Sequence, residues 1–93
     1  MVPEGARLVS RPGRIIQDGA WWAFVFESDH PDRPEPPMKL LPNQSVELMV
    51  RAVAQGSDGL VFLVSGEATV FEGENYLLPR AVMRRVDMGN LRR

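Results

Sequence analysis

The chain has 93 residues, of which 44% are hydrophobic and 25% charged, and its formal net charge is −1. This length and balance indicate one folded domain and exclude a disordered chain, a collagen-like chain and a globally basic polyanion binder. The absence of Cys and the presence of a single His exclude disulfide scaffolds, thiol catalysis, Cys-based zinc sites and multi-His metal sites.

The first third of the chain predicts a strand, a turn and a hairpin. Residues 6–10 are strand-like, and Arg11-Pro12-Gly13 predicts a type II turn, because Gly accepts a positive φ. Asp18-Gly19 between apolar runs predicts a β-hairpin. Residues 20–26 form the most apolar run, with apolar side chains on both faces of a strand. We therefore expect this strand to be central in a sheet or small barrel.

The middle of the chain predicts a loop followed by the one helix. Residues 27–37 hold four of the eight prolines, so we expect a loop that no central strand crosses. We expect residues 29–37 to be the most mobile part of the interior chain. Residues 43–54 begin with Asn43, a good N-cap, and place Val46, Met49, Val50 and Val53 on one helical face. The alternation of Val46, Leu48, Val50 and Ala52 leaves a strand as the alternative. The glycosylation sequon at residues 43–45 is better explained by the helix cap.

The last third predicts a meander of short strands over residues 60–64, 67–72, 74–78 and 81–86, with a bulge or bend at Ser65-Gly66 and interruptions at Gly73 and Pro79. Strands, one helix and more strands at this size predict a mainly β, small OB-like barrel of five or six curved strands, with a β-sandwich as the alternative. We expect a single domain over residues 1–93, with its compact part over residues 6–87 and a frayed tail over residues 88–93. The candidate core residues are Trp21, Trp22, Phe24, Val25, Phe26, Leu60, Phe62, Val64, Val70, Phe71, Tyr76 and Leu78.

Few residues suggest catalysis. The spacings of the P-loop, the dinucleotide-binding glycine motif and the nucleophile elbow are absent. His30 lies between Asp29 and Asp32, where it would bind a divalent cation weakly or act as a general base, although a solvated loop histidine is the simpler interpretation. Paired carboxylates are the other candidates, and the more ordinary interpretation is again solvated acids. They are Glu67, Glu72 and Glu74.

The sequence offers more candidate binding residues than candidate catalytic residues. The bases are ten Arg and one Lys, and residues 80–93 hold five Arg and one Asp. These arginines would form a face for an anionic ligand with Trp21 and Tyr76 as stacking platforms, or they protect a strand edge from pairing. The speculative binding residues are Arg7, Arg14, Trp21, Tyr76, Arg84 and Arg85. The P-x-x-P spacings at residues 31–34 and 34–37 fit a stiff loop or a segment that docks on a partner protein.

Several segments, of which residues 64–78 (VSGEATVFEGENYLL) are the most specific, resemble a group of uncharacterised OB-like domains from planctomycete-type bacteria. The other matching segments are residues 11–14, 18–26, 37–43 and 46–49. The resemblance covers roughly residues 4–86, and it implies a fold but no activity, because the group has no established ligand.

These observations favour a non-catalytic binding or assembly module, whose partner is a protein or an extended polymer laid across the sheet. A nucleic-acid-binding domain is the alternative, provided that the four arginines share a face with an exposed aromatic side chain. A small hydrolase or metal-dependent enzyme using His30 comes third, and we expect no cofactor or metal. Neither a membrane span nor a secretory signal is evident, so we expect a soluble domain, either cytoplasmic or an exported envelope domain without its signal.

Overall fold

A computed structural model describes residues 1–27, 32, 34–56 and 59–85. Within them the chain forms five strands and one helix: β1 (Arg7–Asp18), β2 (Trp21–Phe26), β3 (Met38–Leu40), α1 (Gln44–Ala54), β4 (Phe62–Phe71) and β5 (Glu74–Arg84). The expected tail, residues 88–93, and the last residues of the expected compact part lie outside this range.

The five strands close into a barrel in the order β1-β2-β3-β5-β4. The β3–β5 pair is parallel, and the other four pairs are antiparallel. With α1 between β3 and β4, this connectivity is OB-like. The prediction of a small curved OB-like barrel with one short helix is confirmed, and the β-sandwich alternative is wrong because one sheet closes on itself.

The Asp18-Gly19 hairpin signal is confirmed. Asp18 pairs with Trp21 across a two-residue loop in which Gly19 has φ 64°. The turn predicted at Arg11-Pro12-Gly13 is wrong, because these residues lie inside β1. A Cβ on Gly13 would lie 2.5 Å from both Phe24 Cζ and the Val25 carbonyl oxygen. The glycine therefore lets β1 run close against β2 and does not reverse the chain.

The four short strands predicted after residue 60 are two long, bent strands. The register shifts between Ser65 and Gly66, and Gly66 then faces Pro79 across β4 and β5. A Cβ on Gly66 would lie 2.2 Å from the Leu78 carbonyl oxygen. The bulge predicted at Ser65-Gly66 is confirmed, and Pro79 lies at the same bulge, where β5 accommodates a residue without an N–H.

The helix prediction is confirmed and the strand alternative is wrong. The Asn43 side chain accepts a hydrogen bond from the Val46 backbone N–H at 3.1 Å, and it donates one to the Pro79 carbonyl oxygen at 2.8 Å. Val46 and Met49 are buried, and the helix ends before Gly56, which has φ 91°. Asn43 therefore caps α1 and ties its first turn to β5.

The core fills the inside of the barrel and the face of α1 that covers it. Its largest fully buried side chains are Phe24, Leu40, Met49, Phe62, Val64, Leu77 and Pro79. One face of β2, with Phe24 and Phe26, points inward, whereas Trp21 and Val25 on its other face are only half-buried, so the expectation of a strand buried on both faces is met on one face. Val70 and Phe71 were expected in the core, but they are 37% and 62% exposed because β4 extends past the barrel at its hairpin with β5. No helix in the described part of the chain is long and apolar enough to cross a membrane.

Candidate binding site on the barrel surface

One row of the barrel brings outward-facing residues of four strands side by side. Ala23 of β2 is opposite Lys39 of β3, Lys39 is beside Tyr76 of β5, and Tyr76 is opposite Thr69 of β4. Side chains alternate between the two faces of a strand, so Trp21, two residues before Ala23, also points outward. The same alternation along β4 adds Phe71, which is opposite Glu74. We call Trp21, Lys39, Phe71, Glu74 and Tyr76 the aromatic face.

The Tyr76 ring lies within contact distance of both other rings of this face. The ring centroids of Trp21 and Tyr76 are 5.6 Å apart at an interplanar angle of 52°, and those of Phe71 and Tyr76 are 6.5 Å apart at 62°. Trp21 and Tyr76 are half-buried, whereas Phe71 is exposed. The cluster is therefore a continuous apolar surface on the outside of the barrel, not part of its core.

The charged groups of the face neutralise each other. Lys39 Nζ lies 5.9 Å from the ring centroid of Trp21 and 3.5 Å from a carboxylate oxygen of Glu74. The Tyr76 hydroxyl is 3.5 Å from the same oxygen. Since the single lysine already has an acidic partner, the face presents rings and hydrogen-bonding groups and little net charge.

An open groove of about 590 Å³ adjoins the aromatic face. Its lining includes Lys39 and Glu74 of the face. It also includes Arg7, Arg11 and Phe26 of the barrel and residues 35–37 of the loop before β3. The groove lies within the size range of ligand pockets.

The four arginines predicted as binding residues do not share a face. Arg7 is opposite Glu67 in the β1–β4 ladder, while Arg14 is opposite Val25 in the β1–β2 ladder. Roughly 20 Å of strand separates them. Arg84 lies opposite Phe62 near the end of β5.

Arg85 instead forms an ion pair at the end of β2. Its guanidinium donates to both carboxylate oxygens of Glu27, at 2.6 and 3.2 Å. This hydrogen bonding, with a smaller contribution from the charge of Arg14, lowers the pKa of Glu27 below its ordinary value. Arg85 is therefore bound to a carboxylate at the end of β2.

The candidate catalytic residues do not assemble into a site among the described residues. His30 and Asp29 lie outside that range, and Asp32 is exposed. Glu67 is 3.8 Å from Arg80, and Glu74 is paired with Lys39. The described part of the chain contains no group of three or more potential metal ligands.

Of the predicted binding residues, the fold brings together Trp21 and Tyr76. Phe71 and Lys39 were not predicted as binding residues. Phe71 was available from the sequence, because Glu72-Gly73 after it marks a hairpin tip. Lys39 could not be identified from the sequence, because its place beside Tyr76 depends on the parallel β3–β5 register. Neither a protein-family model nor a curated protein matches the sequence.

Proposed function

We propose that this domain is a non-catalytic binding module that holds an extended polymer across the aromatic face. The observation that carries the proposal is the outward-facing Trp21–Tyr76 pair, extended by the exposed ring of Phe71. Trp21 and Phe71, each in contact with the Tyr76 ring on the outside of the barrel, form a row of tilted rings, and each ring offers a stacking position for one planar or ring-shaped unit.

The position of the face within the fold supports a polymer ligand. OB-like barrels bind oligonucleotides and oligosaccharides on strands 2 and 3, between the β1–β2 and β4–β5 loops. Here Trp21 follows the first of these loops and Phe71 precedes the second. This is an argument from fold analogy, and the residues themselves must carry the choice of ligand.

The charges of the face favour stacking over ionic contacts as the source of affinity. Lys39 is shared between Glu74 and Trp21, and Arg85 is paired with Glu27. A nucleic-acid site requires several bases directed at phosphates, and its affinity falls steeply with salt. The alternative of a nucleic-acid-binding domain is therefore less well supported, because its arginines are spread over the barrel.

Alanine substitutions in the face test the proposal. We expect Trp21→Ala and Tyr76→Ala each to weaken binding by about tenfold or more, the scale of one lost stacking contact. The probes are cellohexaose and fluorescein-labelled single-stranded oligo(dT), measured by calorimetry and anisotropy respectively. Leu48→Ala is the matched control, because Leu48 is 53% exposed on α1.

The outcomes separate the functions. Binding of cellohexaose that is lost in both aromatic variants and kept in Leu48→Ala supports the proposal. Equal binding by all variants contradicts it. Tight oligo(dT) binding that disappears between low and physiological salt would favour the nucleic-acid alternative.

A further inference from the structure

Arg11 occupies a position on β1 that is unusual for a charged residue. It is opposite Val64, which is fully buried, so its side chain starts on the inner face of the barrel. Its guanidinium carbon lies 4.7 Å from the ring centroid of Phe26, and one terminal nitrogen contacts a carboxylate oxygen of Glu35. The side chains of Arg11 and Glu35 are 34% and 44% exposed. The Phe26 ring therefore holds the Arg11 guanidinium in place, while part of that guanidinium stays accessible to a ligand.

A second arginine lines the same groove. Arg7 lies one bulge away from Arg11 on β1, and no residue in the described part of the chain forms an ion pair with it. Glu35 belongs to the loop before β3 and not to the barrel wall. The groove thus combines two arginines on a rigid strand with an acid on a loop.

We propose that Arg11 and Arg7 form a subsite for a ligand carboxylate, and that Glu35 occupies this subsite in the free protein. A guanidinium fork matches a carboxylate in two parallel hydrogen bonds. Glu35 binds only one terminal nitrogen of Arg11. A ligand carboxylate that replaces Glu35 can form both parallel hydrogen bonds with Arg11, and it is also attracted by the charge of Arg7.

The ligand class follows from the rest of the groove, and this step rests on the proposed function. The lining also contains Lys39 and Glu74 of the aromatic face, so a ligand in the groove lies at the edge of that face. The basic lining residues Arg7, Arg11 and Lys39 are balanced by the acidic residues Asp18, Glu35 and Glu74. A polyanion with a charge on every unit would meet the remaining acids, whereas a sugar chain with one uronic acid would not. The predicted ligand is therefore an oligosaccharide with an isolated carboxylate.

The experiment compares two probes by calorimetry: cellotetraose, and cellotetraose whose terminal unit is glucuronic acid. We expect the wild-type protein to prefer the acidic probe. Glu35→Gln should tighten its binding by about three- to fivefold, because removing one exposed ion pair frees Arg11. Arg11→Gln should abolish the preference, a loss of about tenfold for the acidic probe alone. Arg11→Lys should keep only part of it, because it keeps the charge and loses the fork.

Matched controls come from the helix, where Glu47 and Arg51 form an ion pair at 3.1 Å. Glu47→Gln and Arg51→Gln repeat the two charge changes away from the groove and should leave both affinities unchanged. Circular dichroism checks that Arg11→Gln folds, and Glu35→Gln leaves Arg11 intact in any case. No preference in the wild-type protein, or no gain in Glu35→Gln, would overturn the subsite.

Trp21→Ala separates this proposal from the function it rests on. We expect it to weaken both probes equally and to leave the ratio of their affinities unchanged. If Trp21→Ala has no effect while the preference for the acidic probe still depends on Arg11, the proposal that the aromatic face binds the polymer is wrong. The carboxylate subsite then stands by itself. If oligo(dT) displaces the acidic probe at low salt and Arg11→Gln abolishes this, the ligand is a phosphate polymer and the assignment to a carboxylate is wrong.

Discussion

At the residue scale, Gly13 shows how a single missing side chain shapes the barrel. It pairs with Phe26 of β2 and with Phe62 of β4, so β1 is shared between two neighbours at this point. We expect Gly13→Ala to lower the free energy of unfolding by about 2–3 kcal/mol, because its Cβ would overlap backbone and ring atoms. Urea unfolding measures this, with Gln17→Ala, an exposed position of the same strand, as control. If Gly13→Ala and Gln17→Ala lower the free energy of unfolding equally, the close packing of β1 at Gly13 is not the cause.

Glu72 adopts a conformation that suits it poorly. It has φ 51° and the following Gly73 has φ 80°, so the two-residue β4–β5 loop has the positive dihedrals of a type I′ turn. Asn tolerates this region better, and we expect Glu72→Asn to raise the free energy of unfolding by about 1 kcal/mol. Glu72→Gln removes the charge without that conformational gain. If both variants stabilise the protein equally in urea unfolding, charge and not backbone strain is the cause.

The Glu27–Arg85 pair predicts a pH dependence. A carboxyl group whose pKa is lowered on folding adds stability above its unfolded pKa. That stability is lost as the pH falls through the folded pKa. We expect the wild-type protein to lose more stability than Glu27→Gln on acidification below about pH 4.5. A carbon-detected NMR titration of the Glu27 carboxyl should give a higher pKa in Arg85→Gln than in the wild-type protein. An unchanged pKa would contradict this origin.

At the scale of elements, α1 depends on Asn43 in two ways. Its side-chain oxygen caps the helix, and its side-chain nitrogen binds the Pro79 carbonyl of β5. We expect Asn43→Ala to lower the free energy of unfolding by about 2 kcal/mol, the sum of a lost cap and a lost hydrogen bond. Asn43→Asp keeps the cap and loses the donor, so it should lose about half as much. Equal costs for both variants in urea unfolding would show that the cap contributes nothing.

The elements also show what a sequence can predict here and what it cannot. The helix and the Asp18-Gly19 hairpin were predictable, because caps, periodicity and turn residues act over a few neighbours. Gly13 and Pro79 were misread as breaks, because their role depends on which strand passes next to them. The same limit applies to the site: the sequence suggested Trp21 and Tyr76 separately, but only the register places Lys39 between their strands.

At the scale of the whole molecule, the closed barrel gathers the three aromatic rings and spreads the predicted binding arginines. Strand order sets Trp21, Tyr76 and Phe71 on one side, and it distributes these arginines over β1 and the end of β5. The near-zero net charge is consistent with such a distribution but does not predict it. The resemblance to planctomycete-type domains stays a prediction.

The central claim is that a polymer binds to the aromatic face, and the two tryptophans allow a direct test. Trp21 points outward into the face, whereas Trp22 packs against the core. The measurement is the shift of each indole N–H in two-dimensional ¹⁵N–¹H NMR spectra during titration with cellohexaose, with assignment by Trp21→Phe. We predict that the Trp21 signal moves progressively and saturates while the Trp22 signal stays nearly fixed. A saturating shift at Trp22 or at Leu48 with Trp21 unmoved, or no shift at all, would contradict the account.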